Sequence, residues 1–153
     1  MAHYPIRVDE LLFDIRNYIL LHNPEFHVSI NLINPPQSDE QLIFYGNKQL
    51  LFTAIKNIVD NACKYSPDKT AVLNLVIEGQ SISLSIADNG PGIPEDEISS
   101  IFEPFYRSPT MEPVKGFGIG LALAYRILKA HKFSINVEST TGSGTTFTIQ
   151  FSN

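Results

Sequence analysis

The stretch KGFGIGLALAYRIL, Lys115 to Leu128, sets Gly116, Gly118 and Gly120 two residues apart at the mouth of a helix. A glycine run at a helix start points to an anion. The amide N–H groups of a first turn have no partner within the helix, and the helix dipole favours negative charge. The common phosphate-binding patterns do not account for it. A dinucleotide-binding unit needs a strand directly before its glycines. Here the preceding residues are RSPTMEPVK, a loop with two prolines. No Gly-Lys-Ser/Thr follows, so a P-loop is excluded as well.

The 153 residues read as one domain, 1–153, long enough to bury a core. Apolar content of 43% with 18% charged residues is that of a globular chain. A formal net charge of -5 argues against nucleic acid as the main partner. The apolar runs are far shorter than a membrane span, and no signal peptide opens the chain. The single cysteine, Cys63, excludes an internal disulfide. It falls inside a helical pattern, as a buried thiol would.

Periodicity supplies the elements. Val8, Leu11, Leu12, Ile15 and Ile19 share one helical face. FHVSINLI and the short LIFYG read as strands. NKQLLFTAIKNIVDNACKY is the clearest helix, with a stripe of Leu51, Ile55, Ile58, Val59 and Ala62. TAVLNLVIE and SISLSIAD are two strands joined at Gly79-Gln80. A short helix near Glu95–Ser100, the glycine-led helix to about Ala130, and the pair FSINVEST and TTFTIQF complete the chain. This order predicts a two-layer α+β sandwich, with helices on one face of a largely antiparallel sheet.

Several short patterns carry chemistry. Asn57, Asn61 and Lys64 fall on one arc of the central helix, opposite the apolar stripe. Asparagine is a poor helix former. The arc is either a solvated face or a carbonyl oxygen offered to a hard cation with a lysine for phosphate. In SIADNGPGIP, Asp88 ends a strand and Gly90 and Gly92 follow. This is either a plain turn or a carboxylate for a ligand amino group with backbone free to close over a ring. FEPFYR is either a satellite cluster of Phe102, Phe105 and Tyr106 or part of a lid whose cations are Arg107 and Lys115. In TTGSGTTF, Gly142, Gly144 and Thr145 suit a hairpin.

Taken in order, the boxes NIVDNACKYSP, DNGPGIP, FEPFYR, GFGIGL and GSGTTF resemble those of the catalytic domain of bacterial sensor histidine kinases. That domain has the Bergerat fold shared with gyrase, the Hsp90 chaperones and MutL. The resemblance runs from about Tyr45 to Phe151. It implies a mixed, mostly antiparallel five-stranded sheet packed on three helices, with ATP and Mg²⁺ as ligands. Asp88 is then expected to bind the adenine amino group, with Thr145 behind it and Tyr65 by the base. Asn61 is expected to hold Mg²⁺, supported by Asn57 and Lys64; these three form the implied catalytic set. Gly90, Gly92, Ile93, Phe102, Ile119 and Leu121 are expected to line the nucleotide site. Gly116, Gly118 and Gly120 are expected to bring backbone to the phosphates. The loop from Phe102 to Lys115 is expected to order around nucleotide, with Arg107 or Lys115 reaching phosphate and Phe102 and Phe105 packing its hinge.

Asn57 selects a branch. The clamp ATPases and the serine kinases of this fold resemble each other in carrying a Glu general base four residues before the metal-binding Asn. An amide cannot take a proton, and a neutral imidazole needs no base to be nucleophilic. Transfer to histidine is therefore favoured over hydrolysis or serine phosphorylation. Asp60 lies off the Asn57–Asn61 line and reads as a supporting residue. The family acceptor motif, a His followed by an acid, fits none of His3, His22, His27 and His131. The expected acceptor helices and sensor lie N-terminal to this piece, with MAHYPIRVDELL as the exit from them. The resemblance then implies a cytoplasmic domain of an inner-membrane sensor. It also implies a monomeric fragment, a homodimeric full protein and a response regulator downstream. The alternatives are a nucleotide-binding module without turnover and an anti-sigma-type serine kinase of the same fold.

Overall fold

A computed structural model describes residues 1–106 and 119–151. Helix α2, Lys48–Tyr65, is the element on which the rest packs. Asn47 caps it, its side-chain oxygen accepting from the Leu50 N–H at 3.1 Å. Leu51, Ala54, Ile55, Ile58, Val59, Ala62 and Cys63 are its buried face. It stops at Ser66, which is extended, as the residue before Pro67 is biased to be. Helix α1, Val8–His22, buries Val8, Leu11, Leu12, Ile15 and Ile19, the five residues its periodicity marks. Helix α3, Gly120–Ala130, buries Ala122, Ala124, Ile127 and Leu128.

Strands β1 (Tyr4–Arg7), β2 (His27–Leu32), β3 (Ile43–Gly46), β4 (Thr70–Glu78), β5 (Ser81–Asp88), β6 (Ser134–Thr140) and β7 (Gly144–Phe151) form two sheets. The larger has the order β2-β4-β5-β7-β6. Only the β2–β4 pair in it is parallel, so the sheet is mixed and mostly antiparallel as expected. Alternation decides which face meets the helices. Leu73, Leu75 and Ile77 of β4, Ile82, Leu84 and Ile86 of β5, and Phe147 and Ile149 of β7 are all buried. Together with α1, α2 and α3 they make one continuous core. No helix among the described residues is long and apolar enough to cross a membrane.

One feature departs from the sequence reading. LIFYG is a strand, but it lies outside the large sheet. It pairs with β1 in a two-stranded ribbon, Tyr4 opposite Gly46 and Arg7 opposite Ile43. The leading residues, expected as an exit from upstream helices, hold that strand; four residues with Pro5 and one buried side chain, Ile6, carry no period to detect. The short helix expected near Glu95–Ser100 is present, as a 3-10 helix.

The turn joining β6 and β7 offers a paired test. Gly142 and Gly144 both have positive φ, +87° and +89°. A Cβ on Gly142 meets nothing, whereas one on Gly144 would stand 2.1 Å from the Asp88 carbonyl oxygen. Gly142→Ala should cost about 1–2 kcal/mol, the left-handed penalty alone. Gly144→Ala should cost more than about 3 kcal/mol, because backbone must separate as well. Chemical denaturation of the two variants measures both, and equal losses would refute the close approach.

Candidate functional site

Asp88 closes β5 and is 9% exposed. Its Oδ1 accepts from the Gly90 N–H at 2.8 Å and from the Thr145 N–H at 3.3 Å. Among the described residues these hydrogen bonds fall on one carboxylate oxygen and come from backbone, with no cation beside them. Burial pushes the carboxyl above its ordinary range, and the two N–H groups pull partly back. The group is thus a buried acid held by dipoles alone. An acceptor in that setting is costly unless a further donor meets it.

The surrounding backbone leaves no room for side chains. Gly92 has φ +78°, and a Cβ there would sit 2.2 Å from the Thr140 carbonyl oxygen. The Gly142 N–H donates to the Pro91 carbonyl at 2.7 Å, so the loop after β5 is stitched to the β6–β7 turn. Ser139 completes this join. Its Oγ accepts from the Ile93 N–H at 2.7 Å, donates to the Gly144 carbonyl at 3.1 Å, and lies 2.8 Å from Thr145 Oγ1. Neither Ser139 nor the constraint at Gly144 is marked in the sequence reading. Ser139 belongs to no glycine box, and its partners lie in other strands and loops. The bare backbone of Gly92 and Gly144 serves contact between protein segments, which the turn pattern alone did not reveal.

Helix α2 forms the opposite wall. Asn57, Asn61, Lys64 and Tyr65 are all half-buried on it. The Asn57 amide Nδ2 donates to the Gly120 carbonyl at 3.3 Å, joining α2 to the first turn of α3. Asn61 makes no hydrogen bond to any described residue. Lys64 pairs with Asp60 at 3.0 Å across one turn, so Asp60 acts on the lysine and lies off the asparagine line. The Tyr65 carbonyl abuts Gly90, where a Cβ would stand 2.8 Å away. Asp88 and α2 are therefore walls of one site. Cys63, on the buried face, has its thiol pushed up to about 12 by burial and by Asp60, which makes it inert.

The phenylalanines separate. Phe102 stacks on Tyr125 at 4.8 Å and meets Phe147 edge-on at 6.2 Å, so its ring packs beneath the site. Phe105, expected to pack with it, is 71% exposed. It also has a positive φ of +66°. Ile119 is exposed and Leu121 half-buried at the start of α3. Arg107, Lys115, Gly116 and Gly118, and the loop they belong to, lie outside the described residues.

Residues 46–153 match the model of the family described as histidine kinase-, DNA gyrase B-, and HSP90-like ATPase. The chain is 37% identical over 105 residues to the adaptive-response sensory kinase SasA of Gloeothece citriformis, covering 67% of this chain and 27% of that protein. It thus spans about a quarter of the length of that relative. A mycobacterial sensor histidine kinase, MprB, superposes with a TM-score of 0.80 at 25% identity, over 98% of this chain and 97% of that one. Full-length ShkA, solved in complex with AMPPNP, superposes with a TM-score of 0.76 at 22% identity, over 99% of this chain and 31% of that one. The chain belongs to the histidine kinase-, DNA gyrase B- and HSP90-like ATPase family, and its relatives within it are the sensor histidine kinases.

Proposed function

We propose that this chain binds Mg-ATP and donates the γ-phosphoryl group to a histidine on separate acceptor helices of the same full-length protein. The observation that carries this is Asp88, a buried carboxylate held on one oxygen by two backbone N–H groups, with no cation beside it among the described residues. An exocyclic amino group is the donor that suits it, and AMPPNP in the ShkA complex has one. Thr145, Tyr65, Gly90, Gly92 and Ile93 frame the base in this reading. Asn57, Asn61 and Lys64 face the phosphates, as do Gly120 and the neighbouring Ile119 and Leu121. Phe102 supports the floor. Arg107, Lys115, Gly116 and Gly118 join the phosphate end by sequence alone.

The donor set fits magnesium. No group of three or more His, Cys, Asp or Glu gathers as a cation cage among the described residues. Mg²⁺ commonly takes one or two protein oxygens and completes its shell with phosphate and water. Asn61, the asparagine of α2 with no described partner, offers such an oxygen. When bound, the ion neutralises charge on the transferring phosphoryl group. The chain's own residues bind the base, hold the phosphates in line and supply amide dipoles and Lys64. Asn57 cannot activate water, so the nucleophile comes from outside.

The full protein is read as a homodimer of an inner-membrane sensor passing phosphate to a response regulator, with no nucleic-acid role. An anti-sigma-type serine kinase, or a module that binds nucleotide without turnover, are the readings to be eliminated. Incubation with ATP and a separately produced acceptor-helix protein should yield acid-labile phosphate on the acceptor. Acid-stable phosphate would mean serine transfer, and none at all with ATP bound would mean a non-catalytic module. Steady hydrolysis by the chain alone at about 1 per second or faster would place it with the clamp ATPases.

Asp88→Asn separates binding from stability. The amide keeps an oxygen for Gly90 and Thr145 and removes a buried charge, so the nucleotide-free fold should be as stable as the parent within about 1 kcal/mol, or more stable. A carboxyl raised in the folded state stabilises most when protonated, and that contribution is lost as pH rises through its raised range. The parent should therefore lose stability relative to Asp88→Asn over that rise. ADP affinity should fall about thirtyfold in the variant, roughly 2 kcal/mol. In the parent it should fall as pH is lowered and Asp88 protonates. Calorimetry with ADP across pH measures this, and unchanged ADP affinity in Asp88→Asn would remove Asp88 from the base pocket.

Asn61→Ala should act at the other end of the nucleotide. It should abolish metal-dependent gains in ATP affinity and phosphotransfer while leaving metal-free nucleotide binding within about threefold of the parent. Titrations with and without Mg²⁺ test this, and transfer at the parental rate would exclude Asn61 as a ligand.

A further inference from the structure

We infer that His131 is a positioning residue for the nucleotide site, holding α2 in register against α3; the inference rests on the nucleotide-binding reading above. His131 follows directly on α3 and is 4% exposed. Its Nδ1 lies 2.8 Å from the Ile127 carbonyl oxygen, and its Nε2 accepts the Asn47 backbone N–H at 3.0 Å. A carbonyl only accepts, so Nδ1 carries the proton and Nε2 presents its lone pair. Both nitrogens are used, and the ring is no phosphoryl acceptor.

The first of these bonds is local to the end of α3. The second joins residues 84 apart in sequence. Asn47 is the N-cap of α2, and its side chain already holds the Leu50 N–H. The slot is built for a ring. A Cβ on Gly46 would fall 2.9 Å from His131 Cδ2, and the His3 ring stacks on His131 at 5.3 Å between centroids.

The second tie between the helices is the bond from Asn57 to the Gly120 carbonyl. The helices run antiparallel, with the start of α2 against the end of α3. From residue 47 to residue 57 the two ties stand about 15 Å apart along α2. The buried residues between them, Leu51, Ala54 and Ile55 on one helix and Ala124, Ile127 and Leu128 on the other, belong to one apolar core and pack without directional preference. Hydrogen bonds at both ends define where one helix stands along the other. That standing sets the distance from Asn57 and Asn61 to the glycine-led first turn of α3, the gap the phosphates would span.

The test compares two carboxamides. His131→Gln can still offer an oxygen to the Asn47 N–H. His131→Asn keeps the Ile127 side and falls short of Asn47. His131→Leu, which fills the slot and accepts nothing, is a second route to the same loss. ADP affinity should stay within about threefold of the parent in His131→Gln and weaken about tenfold in the other two. In nucleotide-free NMR spectra, the Asn57 side-chain amide and Gly120 backbone amide should move in His131→Asn and His131→Leu and hold in His131→Gln. Lower melting temperatures with unchanged ADP affinity would reduce His131 to a structural cap and overturn the inference, as would equal weakening in all three. If the parent binds no adenine nucleotide yet these resonances shift as described, the nucleotide reading fails and the register tie stands. Resonances that do not move overturn the tie itself.

Discussion

The fold and the site both depend on the crossing of two backbones at the end of β5. Gly144 begins β7 where a side-chain carbon would lie 2.1 Å from the Asp88 carbonyl. That approach brings the Thr145 N–H within 3.3 Å of the Asp88 carboxylate. The same crossing sets the β5–β7 pairing at its origin, Ala87 opposite Thr146, and through it the burial of Phe147 and Ile149. A side chain at Gly144 would therefore disturb the core, the loop stitched by Gly92 and Ser139, and the buried acid together. A preorganised carboxylate of this kind is one that the nucleotide-free protein would be more comfortable without.

Helix α2 carries two duties on two faces. One face is uniformly apolar and supplies the centre of the core. The other carries Asn57, Asn61 and the Asp60–Lys64 pair, which do little for stability. A helical ion pair at that spacing contributes about 0.3–0.5 kcal/mol, and asparagine lowers helix propensity. The helix can bear this because tertiary burial, rather than propensity, holds it. The asparagines are thus not needed for the helix itself, and the Asn57 amide joins α2 to α3.

Membership of an ATPase family that includes hydrolases, chaperones and kinases does not by itself choose a reaction. The choice lies in what stands where a base would be needed. An amide at residue 57 donates a hydrogen bond to backbone and cannot take a proton. The relatives found for this chain are sensor histidine kinases.

Sequence alone determined the elements and their buried faces, because helical and strand periods are local consequences of side-chain direction. The stripe of α1, the stripe of α2 and the alternation of β4 and β5 were legible for that reason. So were the boxes containing Asp88, Asn61 and Gly120, since each is a short run with its own spacing. What only the tertiary structure decided rests on pairs far apart in the chain. Tyr4 meeting Gly46, Ser139 bracing Ile93 and His131 accepting from Asn47 leave no trace in any window of residues. The exposure of Phe105 beside the packed Phe102 is of the same kind. Two aromatic residues three apart look alike in sequence, and only the packing decides that one joins the core while the other stands in solvent. Glycine at residue 144 could be read as a turn, but its necessity comes from the Asp88 carbonyl 56 positions earlier, an approach that exists only once β5 and β7 have paired.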